Sequence, residues 1–276
     1  MTDATAPVSV IIPCFLCRET IERALLSVLQ QTMQPSEVLL VDDASPDDGA
    51  TVRELQTLAD LHGSSVPIRV VQCAQNGGPG NARNRGWALS NQPFIAFLDS
   101  DDAWLPKKIE TQYTWMRDHP EVFLTCHRHG FADGNASALD ASTVQPGTIT
   151  ARPVDGKSLL YSNAIATRTV MLRRDVPHRF KEGKRYAEDF LLWLELVLGG
   201  IRAAKLDSLL AVAFKGDFGA GGLSANLVCM EFGELDCYRQ LYKAELIGLG
   251  TFLSCSIFSL VKFLRRVLVV RFREIL

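Results

Sequence analysis

Short apolar segments recur through about the first hundred residues, and their spacing constrains the fold more than any other feature. They lie at 8–12 (VSVII), 37–41 (EVLLV), 68–71 (IRVV) and 94–98 (FIAFL). Each is almost continuously apolar, which is typical of strands covered on both faces. Stretches with helical spacing of apolar residues separate them. The resulting order, β-α-β-α-β-α-β, predicts an α/β fold with a Rossmann-like, mostly parallel sheet flanked by helices.

Polar and aromatic residues follow each predicted strand. In parallel sheets, ligands bind outside the carboxyl ends of the strands, so these residues are the first candidates for a site. An aromatic ring can stack on a nucleotide base, carboxylates can accept hydrogen bonds from base or ribose, and an arginine can bind phosphates. The candidates in chain order are Pro13, Phe15, Asp42, Asp43, Arg83 within NGGPGNARNRG, Asp99, Ser100, Asp101 and Asp102.

The carboxylates of FLDSDDAW allow two interpretations. Carboxylate oxygens suit a hard divalent cation such as Mg²⁺ or Mn²⁺, and Asp99 and Asp101 could hold one beside a diphosphate. The same residues could instead cap a helix that begins near Pro106. The pattern alone leaves both open.

Two enzyme classes are disfavoured: a hydride-transfer enzyme that binds a dinucleotide, and a nucleotidylyltransferase. In NGGPGNARNRG, Gly78 and Gly80 fit G-x-G, but Arg83 stands where a dinucleotide fingerprint needs its third glycine, and the segment follows the third strand. A nucleotidylyltransferase would need a glycine-rich, basic loop after the first strand, where the chain has PCFLCRET. Cys14 and Cys17 in that segment are interpreted as small turn residues rather than a redox pair.

The second half of the chain is less regular. We predict a helix within 106–119, a loop-rich insertion over 127–148, a strand at 166–174, a helix at 187–198 and a strand at 208–214. The helix at 187–198 opens with acidic residues, which complement the positive end of a helix dipole.

The C-terminal tail combines apolar and basic character. Residues 246–261 carry no charge, and five basic residues follow with only Glu274 opposing them. Sixteen uncharged residues are fewer than the roughly 20 that span a bilayer. On a helical projection the polar side chains share one narrow arc, as in a helix lying on an anionic membrane. A helix docked on the core, or an oligomer contact, would give the same pattern. The arc contains Thr251, Cys255, Ser259, Lys262, Arg266 and Arg273.

Charge and cysteine content limit the setting. A net charge of −2 gives no reason to expect nucleic acid as a partner. Seven cysteines without a recognisable framework, and an N-terminus without signal-peptide features, predict a cytoplasmic, reducing environment.

Five segments in order resemble the pattern of glycosyltransferase family 2, which has the GT-A fold. They are VSVIIPCF, VDDASPDDG, NGGPGNARNRG, FLDSDDAW and YAEDFLLWL, and the resemblance covers about 7–225. It implies a GT-A domain over 1–225, with a nucleotide-binding half at about 7–105 and an acceptor half at about 106–225. Residues 226–276 are then a C-terminal helical segment.

The resemblance also implies an activity and residue roles. It implies inverting transfer of a sugar from a nucleotide-diphosphate sugar, with UDP-sugar as the expected donor, to a hydroxyl of a saccharide or lipid-linked saccharide. The implied setting is bacterial surface polysaccharide or lipopolysaccharide assembly at the inner face of the cytoplasmic membrane. Phe15 stacks on the base, Asp43 binds it, Arg83 lies near it, Asp99 reaches the ribose or the metal, and Asp101 binds Mn²⁺ or Mg²⁺. Pro13, Asp42 and Ser100 complete the donor site.

The family's E-D pair assigns the general base to Asp189, with Glu188 as its neighbour. Trp104 and Asp102 are candidate acceptor or support residues, with Asp102 expected to cap the turn before Trp104. Asp189 could instead only complement the dipole of its helix. A non-catalytic nucleotide-sugar binder or membrane scaffold of the same fold is the alternative function.

Three features depart from the family pattern or extend it weakly. The family usually has Tyr-Asn where this chain has Phe15-Leu16, so the basis of base selectivity differs. GGLSANL (221–227) resembles a late family loop, through which Lys215 and Ser224 are weak candidates for diphosphate contacts. His127 and His129 fall where acceptor contacts are expected and are not assigned a metal.

Overall fold

The structure is a computed structural model that describes residues 5–132, 149–214 and 226–273, with side chains up to residue 269. Lys215 and Ser224 lie outside the described residues. Four parallel strands form one half of the sheet in the order β3-β2-β1-β4. They are β1 (Thr5–Cys14), β2 (Gln34–Asp42), β3 (Ile68–Gln72) and β4 (Phe94–Phe97). The predicted fold class is confirmed.

Five further strands in the described residues extend this sheet. They are β5 (Ala103–Trp104), β6 (Leu124–Phe131), β7 (Ala151–Pro153), β8 (Met171–Arg173) and β9 (Ala203–Ala213). From β4 the order continues β8-β6-β9-β5, and β7 pairs with β9. β8 runs antiparallel to both β4 and β6, whereas β6 and β9 are parallel.

Eight α-helices are present in the described ranges. They are α1 (Ile21–Leu29), α2 (Ala50–His62), α3 (Pro79–Leu89), α4 (Lys108–Asp118), α5 (Gly156–Tyr161), α6 (Glu188–Leu198), α7 (Leu227–Lys243) and α8 (Leu249–Arg273). The helices expected from the sequence before β2, before β3, within 106–119 and at 187–198 are all present.

The apolar runs of β1, β2 and β4 are continuous because these strands are buried on both faces, whereas the edge strand β3 is partly exposed. Alternate residues of one strand point to opposite sides, so Ile11 and Val10 belong to different apolar clusters. Helices α3 and α6 cover the first cluster, while α1 and α4 cover the second. Gly86 lets α3 lie directly on β1, since a Cβ there would come within 2.5 Å of Ile11 Cγ2.

Two sequence-based boundaries are wrong. Part of the loop predicted at 127–148 is strand β6, and 133–148 lie outside the described residues. The strand predicted at 166–174 is only β8, because Thr167–Thr169 form a turn of 3₁₀-helix before it. The turn is closed by the Thr169 N–H, which donates to the carbonyl of Ala166.

The tail forms a helix whose polar arc faces the protein. Lys262 forms an ion pair with Glu234 of α7 at 2.6 Å, and Arg266 forms one with Glu231 at 2.9 Å. Ser259 on the same arc is buried. No helix in the described ranges has the length and apolar character needed to cross a bilayer. The exposed large apolar side chains of α8 are Leu249, Leu253, Ile257, Phe258, Leu260, Val261, Leu264, Leu268 and Val269.

Candidate active site

The carboxyl ends of β1 and β2 bring the first candidates together. Pro13 is buried in β1, whereas the ring of Phe15, just beyond that strand, is 45% exposed and so available for stacking. Asp42 is buried and accepts a hydrogen bond from Ser45 Oγ at 2.6 Å, which closes the turn after β2.

Asp43 fixes the start of the glycine-rich segment. Its carboxylate accepts the N–H groups of Gly77 at 3.0 Å and Gly78 at 2.7 Å. Burial raises the pKa of Asp43, although both N–H groups oppose this shift. Gly78 has φ of +86°, a backbone conformation that favours glycine. Asp43 thus positions the turn from which α3 begins.

Arg83 lies in the second turn of α3 rather than in a loop, and it joins two carboxylates. Its Nη2 donates to Asp99 Oδ1 at 2.6 Å, and its Nη1 donates to Glu188 Oε1 at 3.0 Å. Burial alone would lower the pKa of Arg83, but the charges of Asp99 and Glu188 raise it. Gly80 allows this approach, because a Cβ there would lie 2.8 Å from Glu188 Cγ.

The turn after β4 is held by a second arginine that the sequence reading did not single out. Arg168 Nε lies 2.6 Å from Asp102 Oδ2 and 4.0 Å from Asp99 Oδ2. Burial and the neighbouring Asp99 raise the pKa of Asp102 to about 7, against the effect of Arg168. Burial also raises the pKa of Asp99, but Arg83 and Arg168 more than offset it and leave the pKa lowered.

Asp102 forms this ion pair with Arg168, and its capping of the turn before Trp104 stays a prediction. The carboxylates of FLDSDDAW do not supply the N-cap of α4, which is Lys107 and makes no side-chain capping bond. Trp104 is buried, and its indole N–H donates to the Arg168 carbonyl at 2.8 Å. This hydrogen bond ties Trp104, which follows the acidic turn, to the backbone of Arg168.

The chemistry of the acidic turn fits a divalent cation. Asp99 and Asp101 offer carboxylate oxygens, which Mg²⁺ and Mn²⁺ prefer. The described residues contain no cluster of three or more metal-ligating side chains, so a cation here would need further oxygens from a diphosphate, as Mg²⁺ commonly does. The Asp101 carbonyl accepts from Arg23 Nη2 at 2.6 Å, which fixes its backbone. Ser100 lies beside the Cys17 thiol.

Asp189 lies in the first turn of α6, and both of its carboxylate oxygens are held. Thr167 Oγ1 donates to Oδ2 at 3.0 Å, and the Phe190 N–H donates to Oδ1 at 2.7 Å. Ala187 precedes the helix with φ of +54°, an uncommon conformation for a residue with a side chain. The adjacent Glu188 is buried, and burial together with Asp189 raises its pKa to about 7.

One open cavity of about 730 Å³ is lined by Arg83, Asp99, Glu188 and Asp189, together with residues of α8. The other candidates do not line it: Pro13, Phe15, Asp42, Asp43, Ser100, Asp101, Asp102 and Trp104. The volume is within the range of small-molecule sites. His129 also lines it, whereas His127 is buried, which lowers its pKa to about 3.

Several lining residues were missed by the sequence reading. Thr167 and Arg168 lie in a segment whose pattern predicts a strand. The polar triplet T-R-T before the apolar run is the one local signal that this strand begins later. Arg185 follows Lys184, lines the cavity and donates a hydrogen bond to Asn76 Oδ1. Arg265 and Val269 of α8 carry no local signal that they line a site.

A protein-family comparison identifies the class of enzyme. The family model described as Glycosyl transferase family 2 matches residues 9–178. The chain belongs to glycosyltransferase family 2, which confirms the predicted family; YAEDFLLWL lies beyond the matched residues.

A curated relative and two solved structures agree with this assignment. The UDP-Glc:alpha-D-GlcNAc-diphosphoundecaprenol beta-1,3-glucosyltransferase WfaP of Escherichia coli is 30% identical over 247 residues, 88% of this chain and 87% of WfaP. S. aureus TarS 1–349 with UDP-GlcNAc has a TM-score of 0.67 at 20% identity, covering 90% of this chain and 70% of TarS 1–349. The mannosyltransferase PcManGT of Pyrobaculum calidifontis, with GDP-Man and Mn²⁺, has a TM-score of 0.66 at 18% identity, covering 92% and 70%. The chain is a glycosyltransferase with the GT-A fold.

Proposed function

We propose that this glycosyltransferase transfers a sugar, with inversion, from a UDP-sugar to a hydroxyl of a lipid-linked saccharide in bacterial surface polysaccharide assembly. The observation that carries the proposal is the cavity in which the oriented carboxylate of Asp189 accompanies Asp99 and Arg83. The family and the name of WfaP support the donor and the acceptor class.

In this proposal Asp189 is the general base. It accepts the proton of the acceptor hydroxyl as that oxygen bonds to the anomeric carbon and the bond from that carbon to the diphosphate breaks. Two oriented hydrogen bonds leave the carboxylate further lone pairs for this proton. The sugar then carries the acceptor oxygen on the face opposite the departing nucleoside diphosphate.

The donor is proposed to lie across the ends of the parallel strands. Phe15 stacks on the base, Asp43 binds it and Asp99 contacts the ribose, with Pro13, Asp42 and Ser100 shaping the pocket. Asp101, with Asp99, would hold the divalent cation. When bound, that cation neutralises the charge that develops on the leaving diphosphate. Arg83 keeps Asp99 ionised and in place.

Replacement of Asp189 by asparagine tests the base. We expect D189N to lose about 10²-fold or more in transfer rate, the usual share of a general base, while still binding UDP with Mn²⁺ in calorimetry. D118N is the matched control, because Asp118 is exposed at the end of α4 and its ion pair within the described residues is with its neighbour Arg117. Undiminished transfer by D189N would contradict the assignment.

Replacement of Asp101 by asparagine tests the cation site. D101N should lose the increase in UDP affinity that Mn²⁺ gives to the unaltered protein. Equal Mn²⁺ dependence in both proteins would remove Asp101 from the metal site. UDP binding without transfer to any acceptor would favour the alternative of a non-catalytic binder.

A further inference from the structure

The outward side of α8 is apolar, and it borders the cavity. The polar arc of this helix is used inside the protein, where Lys262 and Arg266 are paired with carboxylates of α7. The opposite side exposes large apolar side chains along much of the helix. From Leu249 to Leu268 this stripe is about 28 Å long at 1.5 Å per residue. An exposed apolar stripe of this length is typical of a surface that binds another protein or a membrane.

Arg265 links this stripe to the cavity. It is exposed, it lines the cavity, and within the described ranges it has neither a hydrogen bond nor an ion pair. At about 100° per residue it falls between the apolar stripe and the inward polar arc. If the apolar stripe were inserted into a lipid surface, a cation at that border would lie at the level of the charged headgroups.

We propose that the apolar stripe of α8 docks on an anionic lipid surface, with Arg265 contacting lipid phosphates at the rim of the cavity. This inference rests on the proposed lipid-linked acceptor, which it would bring to Asp189 directly from the membrane plane. Within the described residues, α8 is not long and apolar enough to cross a bilayer. It has the length, the apolar side and the basic border of a helix that lies in the interface.

Charge favours a lipid surface over a second copy of this chain. Residues 249–273 include no acidic residue and five basic ones, of which Lys262 and Arg266 are neutralised by α7 and Arg265, Arg271 and Arg273 are the other three. An anionic bilayer attracts such a helix, whereas a copy packed stripe against stripe would bring two equally basic helices together.

Vesicle flotation of the full chain tests the docking. The unaltered protein should float with phosphatidylglycerol-containing vesicles. The double variant L264E/L268E should bind these vesicles at least about tenfold more weakly. L61E is the matched control, because Leu61 on α2 is 66% exposed and Leu264 is 61% exposed. L61E should float like the unaltered protein.

R265Q tests the rim contact. It should reduce the preference for phosphatidylglycerol over phosphatidylcholine vesicles by about fivefold, the factor expected for one basic residue near an anionic surface. An unchanged preference would remove Arg265 from the proposal. UDP binding with Mn²⁺ should be the same in the unaltered protein, L264E/L268E and L61E, so loss of docking is distinguished from failure of the proposed activity.

Two results would overturn the docking. One is that the unaltered protein does not float with the vesicles although it still binds UDP. The other is a dimer in lipid-free gel filtration that L264E/L268E converts to a monomer, because a second copy would then cover the stripe.

Discussion

The acidic turn after β4 and the first turn of α6 both bring carboxylates to the cavity, but they hold them differently. Asp99 lies between the guanidinium groups of Arg83 and Arg168, and Asp102 is paired with Arg168. Asp189 is instead hydrogen-bonded by a hydroxyl and a backbone N–H, which carry no charge. Cations therefore hold the carboxylates of the acidic turn, whereas uncharged donors orient Asp189 and leave its carboxylate lone pairs for its proposed role as general base.

The largest expected effect comes from removing the arginine that joins the two regions. R83Q should lower the free energy of unfolding by about 3–5 kcal/mol, because it leaves the buried Glu188 without its cation and Asp99 with only the more distant Arg168. Urea denaturation measures this change. R117Q removes an exposed ion pair and should cost less than about 1 kcal/mol. Equal stability of R83Q and R117Q would show that the two regions do not depend on this guanidinium.

Glu188 provides a test by pH. Burial raises its pKa to about 7, with Asp189 as the second cause, from a usual value of 4.5. The folded state therefore holds this proton more tightly than the unfolded state. The stability it adds is present below about pH 4.5 and is lost as the pH rises through about 7.

E188Q stays neutral, so its free energy of unfolding should fall less over this range, by about 1–3 kcal/mol. Urea denaturation at several pH values compares the two proteins without added metal. Parallel stability curves would contradict the raised pKa of Glu188.

The hydroxyl that orients Asp189, the proposed base, should have a moderate effect. T167V removes the hydrogen bond to Asp189 Oδ2 at nearly constant volume, and we expect about a tenfold lower kcat from a misplaced carboxylate. T167S should restore most of the rate, and neither variant should change UDP affinity. A kcat equal to that of the unaltered enzyme would mean that the Phe190 N–H alone positions the carboxylate.

The smallest effect is expected at the exposed ring after β1. F15A should weaken UDP binding by roughly 2- to 10-fold, the loss of one aromatic stacking contact. F232A on α7 is the control, because its ring is 67% exposed and does not follow a strand of the parallel sheet. Equal UDP affinity of F15A and F232A would exclude stacking by Phe15.

The parallel half of the sheet could be predicted from the sequence because burial on both faces leaves a local signal. Strand β6 gave no such signal. Its first four residues are buried and the others are mostly partly or fully exposed, so LTCHRHGF shows neither a continuous run nor a clean alternation. Its strand conformation depends on pairing with β9, which is 72 or more residues further along the chain.

The candidate site divides in the same way. Asp99, Asp101 and Asp189 could be proposed because they follow apolar runs in a family pattern. The roles of Arg168 and Thr167 could not, because they arise from a short 3₁₀ turn that folds back onto Asp102 and Asp189. Likewise, the sequence identified the polar arc of α8, but only the carboxylates of α7 show that it points inward.

That inward arc matters for the design of shortened proteins. A chain ending before α8 would leave Glu231 and Glu234 of α7 without their cations, and Glu231 is buried. It would also open the side of the cavity that Arg265 and Val269 now line. Such a truncation would behave as an active-site lesion as well as a loss of any membrane contact. Point substitutions on the outer stripe are therefore the informative way to ask where this enzyme works.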